Sequence, residues 1–484
     1  MTEKDTEANK PSDLANASPL GVLELIETTE KHHPVHWPAW KKWSIATIYC
    51  LLQVLVTILS TSYVSAEFLI QEKFGGSDQV VALGQSLFII GTAVGPVFLG
   101  PLSDINGRKW VYVVSIVIYG LLQIGCALAL NLPMMVIFML LSGVAGSTAL
   151  SNVAGTIADL FGNADNAGQP MALFVMSANT GPSIGSAIGQ WIAENPHMGL
   201  NWVFWINVIF AGLFAAVMAL LPETLPRVVI ARAAKKEALP APDAEAVIAD
   251  AKVDVLKEMR FVTTMAFRIM FTEPIVTFLG LFNGFAYGLL FLYLDGVFDV
   301  FVGNNGLSII GADLTYLNFV VGVVIMFCFF VPVQTWLYTR DRVRKGGASP
   351  EARFLLSLVT VWGFPISLFW FAFTSNGKTS FWSPVIAGGV LGVADPLLWL
   401  SMLNYIADSY PNVAGSAMAA FLIPSFALAA GCVHIGIVMF DNLSTTWAFA
   451  ILAFVSLGVV ALVYVLYFFG PKLRARSKLA KNPS

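Results

Sequence analysis

The chain has 484 residues, of which 57% are hydrophobic and only 12% carry a charge. Soluble domains carry about 25% charged residues, so this composition excludes an ordinary soluble protein. The formal net charge of −3 provides no strongly basic surface, and the sequence has no zinc-finger spacing, so nucleic-acid binding is not expected.

The sequence opens with a polar tail, residues 1–43, that contains His32, His33 and His36. Three histidines on a tail interrupted by prolines are more often solvated than bound to a metal. We therefore expect no metal site here, and no motif elsewhere calls for a cofactor.

Twelve stretches of about twenty predominantly apolar residues follow the tail, each near the length that crosses the hydrocarbon core of a bilayer. Continuous runs of this length without strict alternation indicate helices rather than barrel strands, so we predict an all-α membrane protein. The predicted spans are 44–66, 80–100, 110–130, 134–157, 171–193, 202–222, 273–296, 312–333, 354–373, 383–407, 414–438 and 445–469.

A polar stretch, residues 223–272, separates the first six spans from the last six. We therefore predict two pseudo-symmetric six-helix bundles, 44–222 and 273–469, joined by this loop and followed by a basic tail, 470–484. Two such halves around one loop are typical of secondary transporters, in which a substrate site near the midplane is exposed to each side in turn.

The positive charges predict the orientation of the chain. With the N-terminus in the cytoplasm, all of the 27 lysines and arginines except Lys73 and Lys378 lie on the cytoplasmic side. This distribution follows the positive-inside rule. Asn442 then begins a candidate glycosylation sequon on the outer side, close to the membrane.

The connection after the second span carries the run GPLSDINGRK at residues 100–109. Gly100 permits close helix approach, and Gly107 permits a tight turn. Asp104 and Arg108 can form a charge latch between helix ends, which would hold one conformation until a neighbouring helix moves. This run resembles the loop 2-3 signature of the major facilitator superfamily, Gly-x-Leu-x-Asp-x-x-Gly-Arg-Lys, at every fixed position.

The fifth span contains Gly181, Pro182, Gly185 and Gly189. They resemble the Gly-Pro-x-x-Gly motif in the fifth helix of the drug:proton antiporters of the same superfamily. Glycines at four-residue intervals make a flat face that allows close packing and sliding, and Pro182 removes a backbone donor and bends the helix. A simple packing seam between helices is the alternative interpretation.

The sequence also departs from the antiporter pattern in one place. Pro222-Glu223-Thr224 closes the sixth span as in fungal twelve-span members of the antiporter branch, but the arginine usual in their fourth span is replaced by Met139. Proton coupling through the fourth span is therefore not expected. Either another buried ionisable group carries the proton, or the protein is a facilitator driven by the substrate gradient.

Ionisable residues at membrane depth are candidates for a proton or substrate site, because burying an unpaired charge there is costly. Asp395 lies near the middle of span ten, where Pro396 is expected to break the helix; a protonated carboxyl that caps the broken helix is the alternative. His434 in span eleven and Glu67 near the outer end of span one are further candidates. Their alternatives are a single hydrogen-bonded histidine and an interfacial carboxylate.

Six neutral polar residues are candidates to face a cavity. They are Gln123, Asn179, Asn207, Asn283, Tyr287 and Asn404.

Together these features predict a monomeric plasma-membrane transporter that exports a small organic molecule, such as a secondary metabolite, organic acid or drug, in exchange for protons. No P-loop or hydrolase motif is present, so neither ATP-driven transport nor enzyme activity is expected. The alternatives are an exporter of an itaconate-like dicarboxylate, a facilitator without proton coupling, and a non-transporting nutrient sensor built on the same scaffold.

Overall fold

The computed structural model of the chain describes residues 31–162, 164–236, 255–347, 349–410, 413–477 and 479–480, and all regular structure within them is helical. Twelve long helical stretches correspond to the twelve predicted spans. They are α1 (Ala39–Ser65), α2 (Asp78–Asn106), α3 (Arg108–Ala127), α4 (Leu132–Phe161), α5 (Ala164–Glu194), α6 (Leu200–Leu220), α7 (Pro274–Phe298), α8 (Ile309–Lys345), α9 (Ser357–Thr374), α10 (Trp382–Ser409), α11 (Ala414–Asn442) and α12 (Thr445–Arg474).

Eleven of these stretches are long and apolar enough to cross a membrane, among the residues that the structure describes. The exception is α5, which carries glycine, asparagine and serine residues along its length. It packs against α1 in its own half and against α8 and α10 in the other half. Because α5 is surrounded by protein rather than lipid, polar and small residues are tolerated in it.

The helices pair in the same way in the two halves of the chain. In the first half α1 packs on α5, α2 on α4, and α3 on α6; in the second half α7 packs on α11, α8 on α10, and α9 on α12. Each pair of the second half therefore repeats a pair of the first half, six helices later. This arrangement confirms the predicted fold of two pseudo-symmetric six-helix bundles.

The halves meet through α2 against α11 and through α5 against α8 and α10. We call the end of the bundle at which α1 begins the inner end, and the opposite end the outer end. The predicted orientation places the inner end in the cytoplasm.

The predicted polar loop, 223–272, contains two helices, Pro226–Lys236 and Val255–Thr272. Residues 237–254 between them lie outside the described part of the chain, as do residues 1–30 of the predicted N-terminal tail. Val255–Thr272 packs against α2 and α11. Helix Val255–Thr272 has too few apolar residues to cross a membrane, but one of its faces is apolar enough to be buried.

The prediction that Pro396 breaks its helix is wrong. Helix α10 runs without interruption from Trp382 to Ser409, with Pro396 buried in its interior. A proline is tolerated in such a helix because packing against neighbouring helices compensates for the hydrogen bond that the ring removes.

Candidate functional site

A chamber lies between the two halves. Helices α1, α2, α4 and α5 form one side of its wall, and α7, α10 and α11 form the other. Asp395 is the only charged side chain among the described residues that line it, and it is 6% exposed. Its carboxylate has no hydrogen bond or ion pair to any described residue. A carboxylate so placed requires a proton or a ligand as its partner.

Two further buried polar groups of the chamber wall lack a partner within the described protein. They are the Gln53 side-chain oxygen, an acceptor, and the Trp399 indole nitrogen, a donor. Buried polar groups are nearly always hydrogen-bonded in folded proteins. Gln53 lies on α1 and Trp399 on α10, so a ligand that satisfied both would contact both halves of the molecule.

Three of the six predicted polar residues line this chamber, and one lines a cavity nearer the inner end. The chamber residues are Asn179, Asn283 and Tyr287, and the residue in the inner cavity is Asn404. The other two are buried inside the first half, where Gln123 donates a hydrogen bond to Ser142 and Asn207 accepts one from Tyr119. Periodicity alone could not distinguish these locations, because all six residues lie within apolar helices.

Aromatic rings form much of the apolar wall of the chamber and its inner boundary. Tyr287 packs edge-on against Phe426, with ring centroids 5.1 Å apart. Trp399 contacts Phe174 of α5, with centroids 6.1 Å apart, and also lines the inner cavity. The Phe174–Trp399 contact therefore joins the two halves at the point where the chamber meets the inner cavity.

Polar contacts join the two halves at the outer end. The His434 ring nitrogens lie 2.8 Å from the Gln79 side-chain oxygen and 2.9 Å from the Ser86 hydroxyl, and Gln79 also donates to the His434 carbonyl. Ser186 of α5 donates a hydrogen bond of 3.2 Å to Asp313 of α8. His434 thus contacts α2 rather than the chamber.

At the inner end of the first half, Arg108 joins three helices. Its guanidinium lies 2.6 Å from Asp104 of α2 and 2.8 Å from Asp159 at the end of α4. It also donates to the Ser103 hydroxyl at 2.9 Å. The predicted Asp104–Arg108 pair is therefore present. Asp159 was not predicted as a partner of this pair, although an acidic residue just after a predicted span on the same side of the membrane was a signal for it.

Glu223, which follows α6, caps the start of α3. Its carboxylate accepts hydrogen bonds from the backbone N–H groups of Arg108 at 2.9 Å and Lys109 at 3.3 Å. Gly107 has φ +98, and a Cβ atom there would lie 2.5 Å from the Glu223 carboxylate. The tight turn expected at Gly107 is thus present, and it also makes room for Glu223. Gly100, in contrast, makes no close helix contact, because no atom would lie within 4 Å of a Cβ atom there.

The glycine face of α5 packs directly on α1, as predicted. A Cβ atom at Gly181, Gly185 or Gly189 would collide with α1 atoms between Val54 and Ser62. The Pro182 carbonyl accepts a hydrogen bond of 2.7 Å from the Thr61 hydroxyl of α1. The close packing is therefore observed, whereas sliding along this face stays a prediction.

The second half has a corresponding network at its inner end. Arg353, just before α9, lies 2.8 Å from Asp408 at the end of α10, and its guanidinium stacks on the Tyr338 ring at 3.6 Å. Arg474 at the end of α12 binds both oxygens of Glu351, at 2.7 and 2.9 Å. None of these pairs was identified from the sequence.

The remaining predicted residues lie away from the chamber. Glu67 lines a vestibule at the outer end together with Asp299. Met139 is fully buried and is not among the chamber residues. Asn442 is exposed in the last turn of α11 at the outer end, so its glycosylation stays a prediction.

Comparisons with known proteins agree with this architecture. The family model described as Major Facilitator Superfamily matches residues 49–431. A protein of Schizosaccharomyces pombe named as an uncharacterized transporter is 51% identical over 469 residues, which cover 96% of this chain and 86% of that protein. The vitamin B6 transporter bsu1 of the same yeast is 41% identical over 464 residues, which cover 96% of this chain and 87% of the relative.

Among solved structures, the proton:xylose symporter XylE bound to 6-bromo-6-deoxy-D-glucose aligns with a TM-score of 0.62. The alignment covers 90% of this chain and 97% of the symporter, at 16% identity. At that identity the likeness concerns the fold alone.

Proposed function

The chain belongs to the major facilitator superfamily and is a transporter of small molecules, and we propose that it exports a small aromatic heterocycle in exchange for protons. The observation that carries this proposal is the unpaired carboxylate of Asp395 in a chamber wall with no other charged residue among those described. Export across the plasma membrane by a monomer is part of the same proposal.

One carboxylate can couple two fluxes if its two ligands exclude each other. A proton on Asp395 removes the charge that a cationic or hydrogen-bond-donating solute would bind, and a bound solute removes the site for the proton. Because an unpaired charge at this depth is costly, the empty and charged form is disfavoured, and each half-cycle carries one ligand or the other. With acid outside and neutral cytoplasm inside, such an exchange drives the solute outward.

The chemical class of the solute follows from the rest of the wall. Tyr287, Trp399 and Phe426 offer aromatic surface, while Gln53 and the Trp399 indole N–H offer one acceptor and one donor. A flat ring with polar substituents would stack on the first set and satisfy the second. The 41% identity with a protein named as a vitamin B6 transporter supports a pyridine of this kind.

The test uses purified protein in vesicles, with radiolabelled pyridoxine as the probe and an imposed pH gradient. We expect wild-type flux to follow the gradient, Asp395→Asn to lose that dependence, and D-xylose to be carried poorly. Asp441→Asn, which removes an exposed carboxylate at the outer end, is the matched control and should keep the coupling. If Asp395→Asn retained wild-type pH dependence, the proton would not use this residue.

Met139 supports a second candidate, a facilitator without proton coupling. The side chain that replaces the usual arginine of the antiporter branch is fully buried and cannot carry a proton. In that case pyridoxine flux would follow its own gradient and ignore pH in both the wild type and Asp395→Asn.

An itaconate-like dicarboxylate is less well matched to the chamber, since its wall has no cation among the described residues. Itaconate flux that exceeded pyridoxine flux would nevertheless favour the organic acid. A nutrient sensor would bind a solute without moving it, so retention of bound label with no flux of any solute would identify that class.

A further inference from the structure

Helix Val255–Thr272, which we call the cleft helix, fills the gap between α2 and α11 on the inner side of the molecule. Ala266 is fully buried and forms a small apolar cluster with Val97 of α2 and Ala419 of α11. Val262 lines the inner cavity. The cleft helix therefore contacts both halves at once, and it also borders the cavity that leads to the chamber.

The opposite face of the cleft helix combines aromatic and basic side chains. Phe261, Phe267 and Phe271 are 49%, 46% and 80% exposed. Arg260 and Arg268 are exposed on the same face, eight residues apart. In sequence the cleft helix has three basic residues and one acidic residue, Glu258.

We propose that this face binds the anionic headgroups of the inner leaflet, and that the bound lipid holds the cleft helix between the two halves. Phenylalanines on an amphipathic helix insert at the boundary between headgroups and acyl chains, while the long basic side chains reach the phosphates. The predicted orientation places this face at the cytoplasmic leaflet, where the anionic lipids are concentrated.

Lipid bound here would affect the transport cycle through the contacts of Ala266. Any movement that separates α2 from α11 at the inner end must either displace the cleft helix or carry it with one half. A ligand that binds only the seated helix shifts the equilibrium toward the state in which it is seated. Anionic lipid is therefore expected to favour the arrangement described above.

The experiment measures hydrogen–deuterium exchange of residues 255–272 in the full-length protein, in nanodiscs of phosphatidylcholine with or without phosphatidylserine. This readout needs no transported solute, so it is independent of the proposed function. Each basic side chain near an anionic surface strengthens binding by about fivefold. We expect phosphatidylserine to slow exchange in the wild type, and Arg260→Gln with Arg268→Gln to lose most of that slowing.

The matched control removes two exposed arginines elsewhere on the inner side, Arg232→Gln with Arg476→Gln, and should respond to phosphatidylserine as the wild type does. Equal exchange in the two lipid mixtures would overturn the proposal, as would an equal loss of slowing in the control. Full protection in phosphatidylcholine alone would assign the face to acyl chains only. Protection that rises with protein concentration in detergent would assign it to a second copy of the chain, which also contradicts the proposal.

Discussion

The inner ends of the two halves share one contact geometry but use different partners around it. In each half an arginine at the start of the third helix, or just before it, binds through its Nε atom an aspartate at the end of the fourth helix at 2.8 Å: Arg108 with Asp159, and Arg353 with Asp408. The internal repeat thus extends from helix packing to individual charged atoms.

The helix that precedes each arginine is attached differently. In the first half, Asp104 of α2 binds Arg108 directly, so one guanidinium holds three helices. In the second half, Asp341 of α8 binds Lys345 of its own helix, and α8 reaches Arg353 through the ring of Tyr338. At this point the second helix of the first half forms an ion pair with the arginine, whereas the second helix of the second half contacts it without an ion pair. Substitutions at equivalent positions test this difference.

The largest effect on the free energy of unfolding is expected for Arg108→Ala. It leaves Asp104 and Asp159 without a cation, and breaking a buried pair costs about 3 to 5 kcal/mol. Arg353→Ala should cost about 2 kcal/mol, because Asp408 keeps a weak contact with the Tyr338 hydroxyl at 3.5 Å. Thermal unfolding of the two purified variants in detergent measures the difference, and equal losses would mean that the halves do not differ.

Substitutions of the turn glycines should also destabilise the first half more than the second, by a smaller amount. Gly107 and Gly346 both have positive φ, but only at Gly107 would a Cβ atom meet another group, the Glu223 carboxylate. We expect Gly107→Ala to cost about 3 kcal/mol, from backbone strain and the lost cap, and Gly346→Ala about 1 kcal/mol from strain alone. The assay is again thermal unfolding in detergent.

Gly415→Ala is the control, since its Cβ atom would lie in open space and its φ is not positive. If Gly346→Ala destabilised the protein as much as Gly107→Ala, the contact with Glu223 would add nothing to the cost at Gly107.

The sequence predicted the parts of this architecture that depend on local pattern. Apolar runs identified the twelve helical spans, and the i,i+4 spacing identified the Asp104–Arg108 pair. Asp159 and Glu223 lie 51 and 115 residues from Arg108 in the chain, so only the packing of the helices brings them to it.

The residues of the chamber were also predicted only in part. Asp395 stood out because a carboxylate at membrane depth is rare, but Trp399, four residues later on the same helix, did not. An aromatic residue in an apolar run can face lipid, the protein core or a cavity, and the sequence pattern is the same in all three cases.

The smallest change in stability, and the most informative one for mechanism, is expected for Asp104→Asn. Asp104 is 56% exposed, so its pair with Arg108 contributes less than about 1 kcal/mol, and the variant should reach the membrane in normal amounts. If the pair is the latch that holds the inner end in one conformation, flux of pyridoxine into vesicles should nevertheless be abolished. Asp341→Asn should keep its flux, because Lys345 lies on the same helix as Asp341 and their pair joins no two helices. Normal flux in Asp104→Asn would remove the latch from the mechanism. Lost flux at unchanged stability would mean that this pair acts in the conformational step of transport rather than in folding.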